Sequence, residues 1–177
     1  MKFPFVKIED YMRSKIVESC LLQRQLDDIR AIKSLCKDIK RPTVATINGS
    51  FDLLHAGHLF MLYEASKTAD ILVVALNTDA SIKRYKHASR PIIPLQERME
   101  MIAALAFVDF VTWFDEDDPR CLIKLLQPDV HVNGIEYGEN CIEAETVRSV
   151  GASLHLVERI PGLATSEIIK KIKDLPQ

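Results

Sequence analysis

The sequence predicts an α/β protein: a parallel five-stranded sheet with helices on both faces, preceded by an N-terminal helical extension. Three observations predict it. After Arg41, short β-branched or apolar runs alternate with stretches of helical periodicity. The strand candidates are continuously apolar, as in strands covered on both faces by helical crossovers. Glycine is sparse, at Gly49, Gly57, Gly134, Gly138, Gly151 and Gly162 only, so it marks a few special loops.

The elements follow in chain order. In residues 1–40, Val17, Leu21, Leu22, Leu26, Ile29, Ile32 and Leu35 recur mostly every three or four positions. Arg24, Asp27, Asp28, Arg30 and Lys33 fill the gaps, which predicts one amphipathic helix from Ser14 to Asp38, ended before Pro42. Such a helix either packs on its own domain or pairs two copies; two or three heptads are short for a coiled coil. The main domain is read as 41–177. Thr43–Ile47 is β-branched and reads as a strand. Ala56–Ala69 is a helix carrying Leu59, Leu62 and Tyr63 on one face, and Ile71–Leu76 a strand. Leu95–Leu105 is a helix and Val108–Phe114 a strand. Asp118 is an N-cap candidate, with Pro119 at the first position of a helix reaching Gln127. A strand at Asp129–Val132, a helix at Glu143–Val150 ended by Gly151, a strand at Leu154–Val157 and a helix at Thr165–Lys173 complete the chain. This is a Rossmann-like order, whose ligands bind at the carboxyl ends of the strands near a switch in strand order.

Composition narrows the function. The 177 residues are 47% hydrophobic and 27% charged with a net charge of −2, an ordinary globular mix. No basic excess points to nucleic acid. The longest apolar run is far too short to span a bilayer, and the N-terminus predicts no secretion signal. Cys20, Cys36, Cys121 and Cys141 have no C-x-x-C spacing, so they are expected to be free buried thiols in the cytoplasm.

The first strand runs into Asn48-Gly49-Ser50-Phe51-Asp52-Leu53-Leu54-His55-Ala56-Gly57-His58. The helix starting near Ala56 aims its free N–H groups and positive end at this loop, where an anion would bind. His55 and His58 share one face of its first turn and suit hydrogen bonds to phosphate oxygens; solvated histidines at a helix start are the plainer alternative. Neither G-x-x-x-x-G-K-[ST] nor G-x-G-x-x-G is present, which excludes the usual P-loop and dinucleotide motifs.

The segment G-S-F-D-L-L-H-A-G-H resembles the H-x-G-H signature of the cytidylyltransferase-like nucleotidyltransferases. Arg159-Ile160-Pro161-Gly162-Leu163-Ala164-Thr165-Ser166, followed by Glu167-Ile168-Ile169, is similar to their C-terminal R-T-E-G-I-S-T-S-x-I-I motif. Between the two, Asn77-Thr78-Asp79-Ala80-Ser81, Lys83-Arg84-Tyr85-Lys86, Ser89-Arg90-Pro91, Glu97-Arg98 and Val108-Asp109 look most like the adenylyltransferase half of ADP-heptose synthases. Asn133-Gly134-Ile135-Glu136-Tyr137 is similar to the K-G-G-D-Y of those enzymes. The chain departs from the pattern at Asn133, where a lysine is usual, at Glu136 for Asp and at Ala164 for Ser. The accompanying kinase half has no room in 177 residues.

The resemblance implies transfer of a nucleotidyl group from ATP to a sugar 1-phosphate, giving an ADP-sugar and pyrophosphate, with Mg²⁺, and a homodimer. It assigns catalytic roles to His55, His58 and Lys86. Nucleotide contacts fall to Asn48, Gly49, Ser50, Phe51, Gly57, Asn133, Gly134, Arg159, Gly162, Thr165 and Ser166. Substrate contacts fall to Asp79, Lys83, Arg90, Arg98, Glu136 and Tyr137. Asp52 is the candidate Mg²⁺ contact, or else a loop hydrogen bond; Arg98 clamps a phosphate, or else pairs with Glu97 or Glu100; Thr165 binds an anion, or else is a plain N-cap. The acidic run 115–118 reads as a helix start rather than a metal site. A cytidylyltransferase acting on a polyol phosphate such as glycerol 3-phosphate is the alternative. Those enzymes carry an Arg where this chain has Ala106. A non-catalytic nucleotide-binding module is the third reading.

Overall fold

The computed structural model describes residues 8–34, 41–158 and 160–176. Arg159 and Cys36 therefore lie outside the described residues. Five strands, β1 (Val44–Gly49), β2 (Ile71–Asn77), β3 (Phe110–Phe114), β4 (Val130–Gly134) and β5 (Ser153–Val157), form one sheet. Its order is β3-β2-β1-β4-β5 and every pairing is parallel. The order reverses at β1, so the carboxyl ends of β1 and β4 splay apart and open a crevice between them.

Alternation along the strands divides the core in two. Ala45, Ile47, Leu72, Val74 and Leu76 pack with Leu62, Met99 and Ile102 of helices α3 (Ala56–Ser66) and α5 (Leu95–Ala103). Val44, Val73 and Ala75 face the other way, onto Leu22 and Leu26 of α2 (Ser19–Ser34) and Leu122 and Leu126 of α6 (Arg120–Leu126). Short helices α4 (Asp79–Tyr85) and α7 (Ala144–Ser149) follow β2 and precede β5, and α8 (Thr165–Lys173) ends the chain.

The N-terminal region differs from the single helix expected. It forms α1 (Ile8–Lys15) and α2, broken at Ile16–Glu18. The break has a reason: Ile16 bridges Val111 in parallel, and the Val17 N–H donates to the Val111 carbonyl at 2.9 Å. The chain leaves helix to cover the outer edge of β3, whose backbone groups would otherwise be exposed for pairing. Arg30 then donates to the carbonyls of Leu126 and Gln127, closing the end of α6. These helices thus pack on the chain's own sheet. Helix α4 escaped the sequence reading, being short and polar; Thr78 caps it by accepting from the Ser81 N–H. Cys20 and Cys121 are exposed and Cys141 half-buried, so the expectation of buried thiols fails at all three; the first two lie near the starts of α2 and α6, and Cys141 in the loop before α7.

Candidate active site

A cleft of about 720 Å³ opens at the carboxyl ends of β1 and β4. Its floor is the loop after β1. Phe51 and Leu53 there adopt positive φ of 44° and 50°, conformations that non-glycine residues seldom hold. The buried Phe51 ring compensates by packing edge-on to His58, with centroids 5.4 Å apart.

His55 is the N-cap of α3, and its Nδ1 accepts from the Gly57 N–H at 3.1 Å. A neutral ring accepting at Nδ1 carries its proton on Nε2, where it donates. The His58 ring stacks on it with centroids 3.8 Å apart. Gly57 permits a close crossing: a Cβ there would sit 2.9 Å from the Leu163 carbonyl oxygen, so only glycine lets the segment before α8 run against the start of α3.

Helix α8 brings a second N-terminus to the cleft. Its N-cap is Ala164, whose side chain makes no capping bond, so Thr165 is not the cap but the first helical residue. The Thr165 hydroxyl donates to the Asp52 carbonyl at 3.0 Å, tying α8 to the β1 loop. Both Thr165 and Ser166 line the cleft, with α8's first-turn N–H groups lacking a side-chain cap.

The β2 side is cationic. Lys86 follows α4 and its Nζ donates to Ser50 Oγ at 2.8 Å. It is solvent-accessible at the cleft mouth, yet partial desolvation and the nearby Arg90 charge pull its ammonium pKa below the ordinary value. Arg90 also lines the cleft, its guanidinium held by Asp52 at 2.7 Å from Nε and 2.6 Å from Nη2.

The β4 side is different. Asn133 accepts from the Gly134 N–H through Oδ1 and donates through Nδ2 to Glu143. The Glu136 carboxylate folds back over Gly134, 2.2 Å from where a Cβ would stand. Glu136 and Tyr137 flank this wing with Ile142 and Cys141.

Five expected residues sit elsewhere. Asp52 is fully buried, and its carboxylate accepts from the Ile92 and Ile93 N–H groups at 2.9–3.0 Å as well as from Arg90. Burial pushes its pKa up, but those N–H groups and Arg90 outweigh it and hold the carboxyl below its usual value. This is a loop anchor, and its oxygens do not fit a Mg²⁺ ligand. Among the described residues no cluster of three His, Cys, Asp or Glu is placed to hold a metal. Arg98 is also fully buried and clamps no substrate; nor does it pair with Glu97 or Glu100. It donates to the carbonyls of Ser50 (2.6 Å), Asn77 (3.0 Å) and Ile93 (2.9 Å) and to Asp79 (2.6 Å). Asp79 is thereby occupied, and exposed Lys83 lies on the outer face of α4, away from the cleft. Gly162 forms the positive-φ turn, at 76°, that leads Leu163 and Ala164 to the cleft rim, without lining it. Arg84 and Arg120 bind the acidic run, Arg84 at Asp115 and Asp117 and Arg120 at Asp118. Asp118 accepts from the Arg120 N–H, one position away from the cap arrangement expected.

The sequence reading missed Asn77, Tyr85, Cys141, Ile142 and Glu143 as cleft residues. Tyr85 had a signal, standing between Lys83 and Lys86 at the end of a strand-following segment; burial and the neighbouring Tyr137 push its phenol up to about 12.

Two anion-binding helix ends, a histidine pair and a lysine around a strand switch point form an arrangement for holding a polyphosphate. A profile of the Cytidylyltransferase-like family matches residues 46–172. The chain belongs to the cytidylyltransferase-like family. Its membership makes it a nucleotidyltransferase. Among curated relatives, the bifunctional protein HldE of Syntrophotalea carbinolica is 45% identical over 133 residues, covering 75% of this chain and 27% of that protein. HldE of Geotalea uraniireducens is 46% identical over 151 residues, covering 85% and 31%. HldE of Campylobacter curvus is 39% identical over 171 residues, covering 96% and 35%. The chain thus spans about a third of the length of these relatives. Among solved structures, the lipopolysaccharide core biosynthesis protein of Thermoplasma volcanium superposes with a TM-score of 0.55 at 27% identity, over 67% of this chain and 97% of that one. Pantoate-beta-alanine ligase of Francisella tularensis, at 16% identity and a TM-score of 0.57 over 90% and 78%, shares the fold.

Proposed function

We propose that this nucleotidyltransferase moves an adenylyl group from ATP to a sugar 1-phosphate, a heptose 1-phosphate by its resemblance to ADP-heptose synthases, and releases pyrophosphate. The observation that carries the reading is the convergence of the α3 and α8 N-termini with Lys86 on one cleft. The likeness to HldE proteins and to a lipopolysaccharide core biosynthesis protein supports the sugar acceptor.

The acceptor phosphate oxygen attacks the α-phosphorus in line, without a covalent enzyme intermediate. The protein's work is to hold geometry and to match the charge that grows on the phosphates. His55 and His58 donate to α- and β-phosphate oxygens; a donor of this kind is typically worth about 2.7–4 kcal/mol. The first-turn N–H groups of α8, with Thr165 and Ser166, take the distal phosphates. Lys86 follows the leaving charge. Arg90, oriented by Asp52, faces the incoming phosphate. Mg²⁺ would supply counter-charge to the triphosphate; Asp52, engaged by Arg90, Ile92 and Ile93, would not be the residue that holds it.

The test is pyrophosphate release with Mg²⁺ from ATP or CTP, each with heptose 1-phosphate or glycerol 3-phosphate. Release from ATP with the heptose alone is the expected result. Release from CTP with glycerol 3-phosphate would move the chain to polyol-phosphate cytidylyltransfer. Silence in all four mixtures, from protein that binds nucleotide, would leave a binding module.

A further inference from the structure

The β4 wing of the cleft holds a carboxylate that the phosphate chemistry does not use. Glu143 precedes α7, is only 5% exposed and lines the cleft. Its Oε1 accepts from Asn133 Nδ2 and lies 3.8 Å from Nε2 of buried His131. The other ring nitrogen of His131, Nδ1, meets Thr46 Oγ1 at 2.9 Å inside the sheet. Cys141 is a further side-chain partner of Glu143. The carboxylate is therefore held by Asn133 and His131 of β4 and by Cys141, with His131 in turn held by Thr46 of β1, at a position that lines the cleft.

Charge divides the cleft into two halves. Lys86 and Arg90 stand on the β2 side; Asp117 and Asp118, which also line the cleft after β3, are paired with Arg84 and Arg120. On the β4 side the charged lining groups are Glu136 and Glu143, beside Tyr137 and Ile142. A phosphate-bearing acceptor belongs with the cations. The uncharged nucleoside belongs with the aromatic, apolar and acceptor groups. A carboxylate is an acceptor only, and a nearly dry one favours a ligand that brings N–H or O–H donors.

We propose that Glu143 is a specificity-determining residue for the nucleotide, accepting hydrogen bonds from the donors of its nucleoside part, in the first place the ribose hydroxyls, with His131 and Asn133 as its positioning residues. This rests on the reading of the chain as an ATP-using enzyme. Asn133 then has a role that a lysine at the same place would not fill: it orients the carboxylate while leaving it anionic.

The experiment is equilibrium binding, which needs no acceptor. The full chain is titrated calorimetrically with ATP, 2′-deoxy-ATP, 3′-deoxy-ATP and purine riboside triphosphate, which lacks the 6-amino group. Glu143→Gln and Glu143→Asp are compared with the wild type, with melting curves to confirm folding. A hydrogen bond to a charged acceptor implies that removing the recognised donor weakens wild-type binding on the order of tenfold. In Glu143→Gln that preference should collapse to near unity. Glu143→Asp, which keeps the charge but withdraws it by one methylene, should retain part of it. Discrimination against the deoxy-nucleotides assigns the ribose as the donor source, and against purine riboside triphosphate the base; either supports the proposal if it vanishes in Glu143→Gln. Equal weakening of all four ligands by Glu143→Gln, or unchanged ratios, would overturn it while the adenylyltransferase reading stands. Failure of the wild type to bind ATP at all would bring down that reading and this one together.

Discussion

His55 and His58 show how a residue pair acquires a role from its place. At a helix start, an imidazole gains nothing from protonation, because the helix end is already positive. His55 accepts from Gly57 and presents its other nitrogen as a donor, while His58 is held between the His55 and Phe51 rings. Replacing His58 with Ala should lower kcat by a factor on the order of a hundred to a thousand, with the melting temperature little changed. Pyrophosphate release and calorimetry check both halves. Lys86 carries a pH prediction. Its pKa is lowered, so it is cationic below that value and loses its charge as pH rises through it. kcat/KM should therefore fall on the alkaline side earlier than an ordinary lysine would allow. Lys86→Arg should remove that limb, because the guanidinium stays charged, and the pH–rate profile of the two proteins decides it. Residue types at this scale were legible in sequence where a loop lies next to a helix start, as at His55, His58 and Thr165. Arg98 was not. A sequence shows a cation near the site, but not that the Ser50, Asn77 and Ile93 carbonyls converge on one buried point and consume it.

At the scale of elements, the site depends on how strand ends and helix starts are tied together. Arg98 joins the ends of β1 and β2, the start of α4 and the segment before α5. Lysine keeps the charge but not the planar fork, so Arg98→Lys should cost about 2–3 kcal/mol in urea unfolding as buried carbonyls lose their donors. Helix α8 poses the opposite case. Its N-cap side chain is a methyl group, so its first N–H groups lack the side-chain partner that most helices supply. Ala164→Asp should stabilise the unliganded chain by about 1 kcal/mol and weaken ATP binding at the same time, since the carboxylate would compete for the same donors. Thermal melting and nucleotide titration on one variant test both directions. The long, strongly periodic elements were readable, and α8 was placed to the residue. The break at Ile16–Glu18 was not readable, because helical periodicity continues across it; a contact with Val111, far along the chain, overrides the local pattern.

At the scale of the whole molecule, the N-terminal helices are part of the core. Leu22 and Leu26 are fully buried against Val44, Val73, Leu122 and Leu126. Leu26→Ala should cost about 2–5 kcal/mol in chemical denaturation, a large fraction of the stability of a domain this size. Little loss would mean that α2 is a detachable appendage. That the sheet is parallel followed from the alternation of elements, whereas the strand order that puts the crevice beside β1 and the edge-covering segment needed the third dimension.

The hydrogen bond from Thr165 to the Asp52 carbonyl joins positions 113 residues apart. A triphosphate lying between α3 and α8 would span that same junction from the outside. It would act as a reversible staple across the longest loop the site closes. Nucleotide binding should therefore be felt as resistance to proteolysis and slower unfolding of the whole chain, not only as occupancy of a cleft.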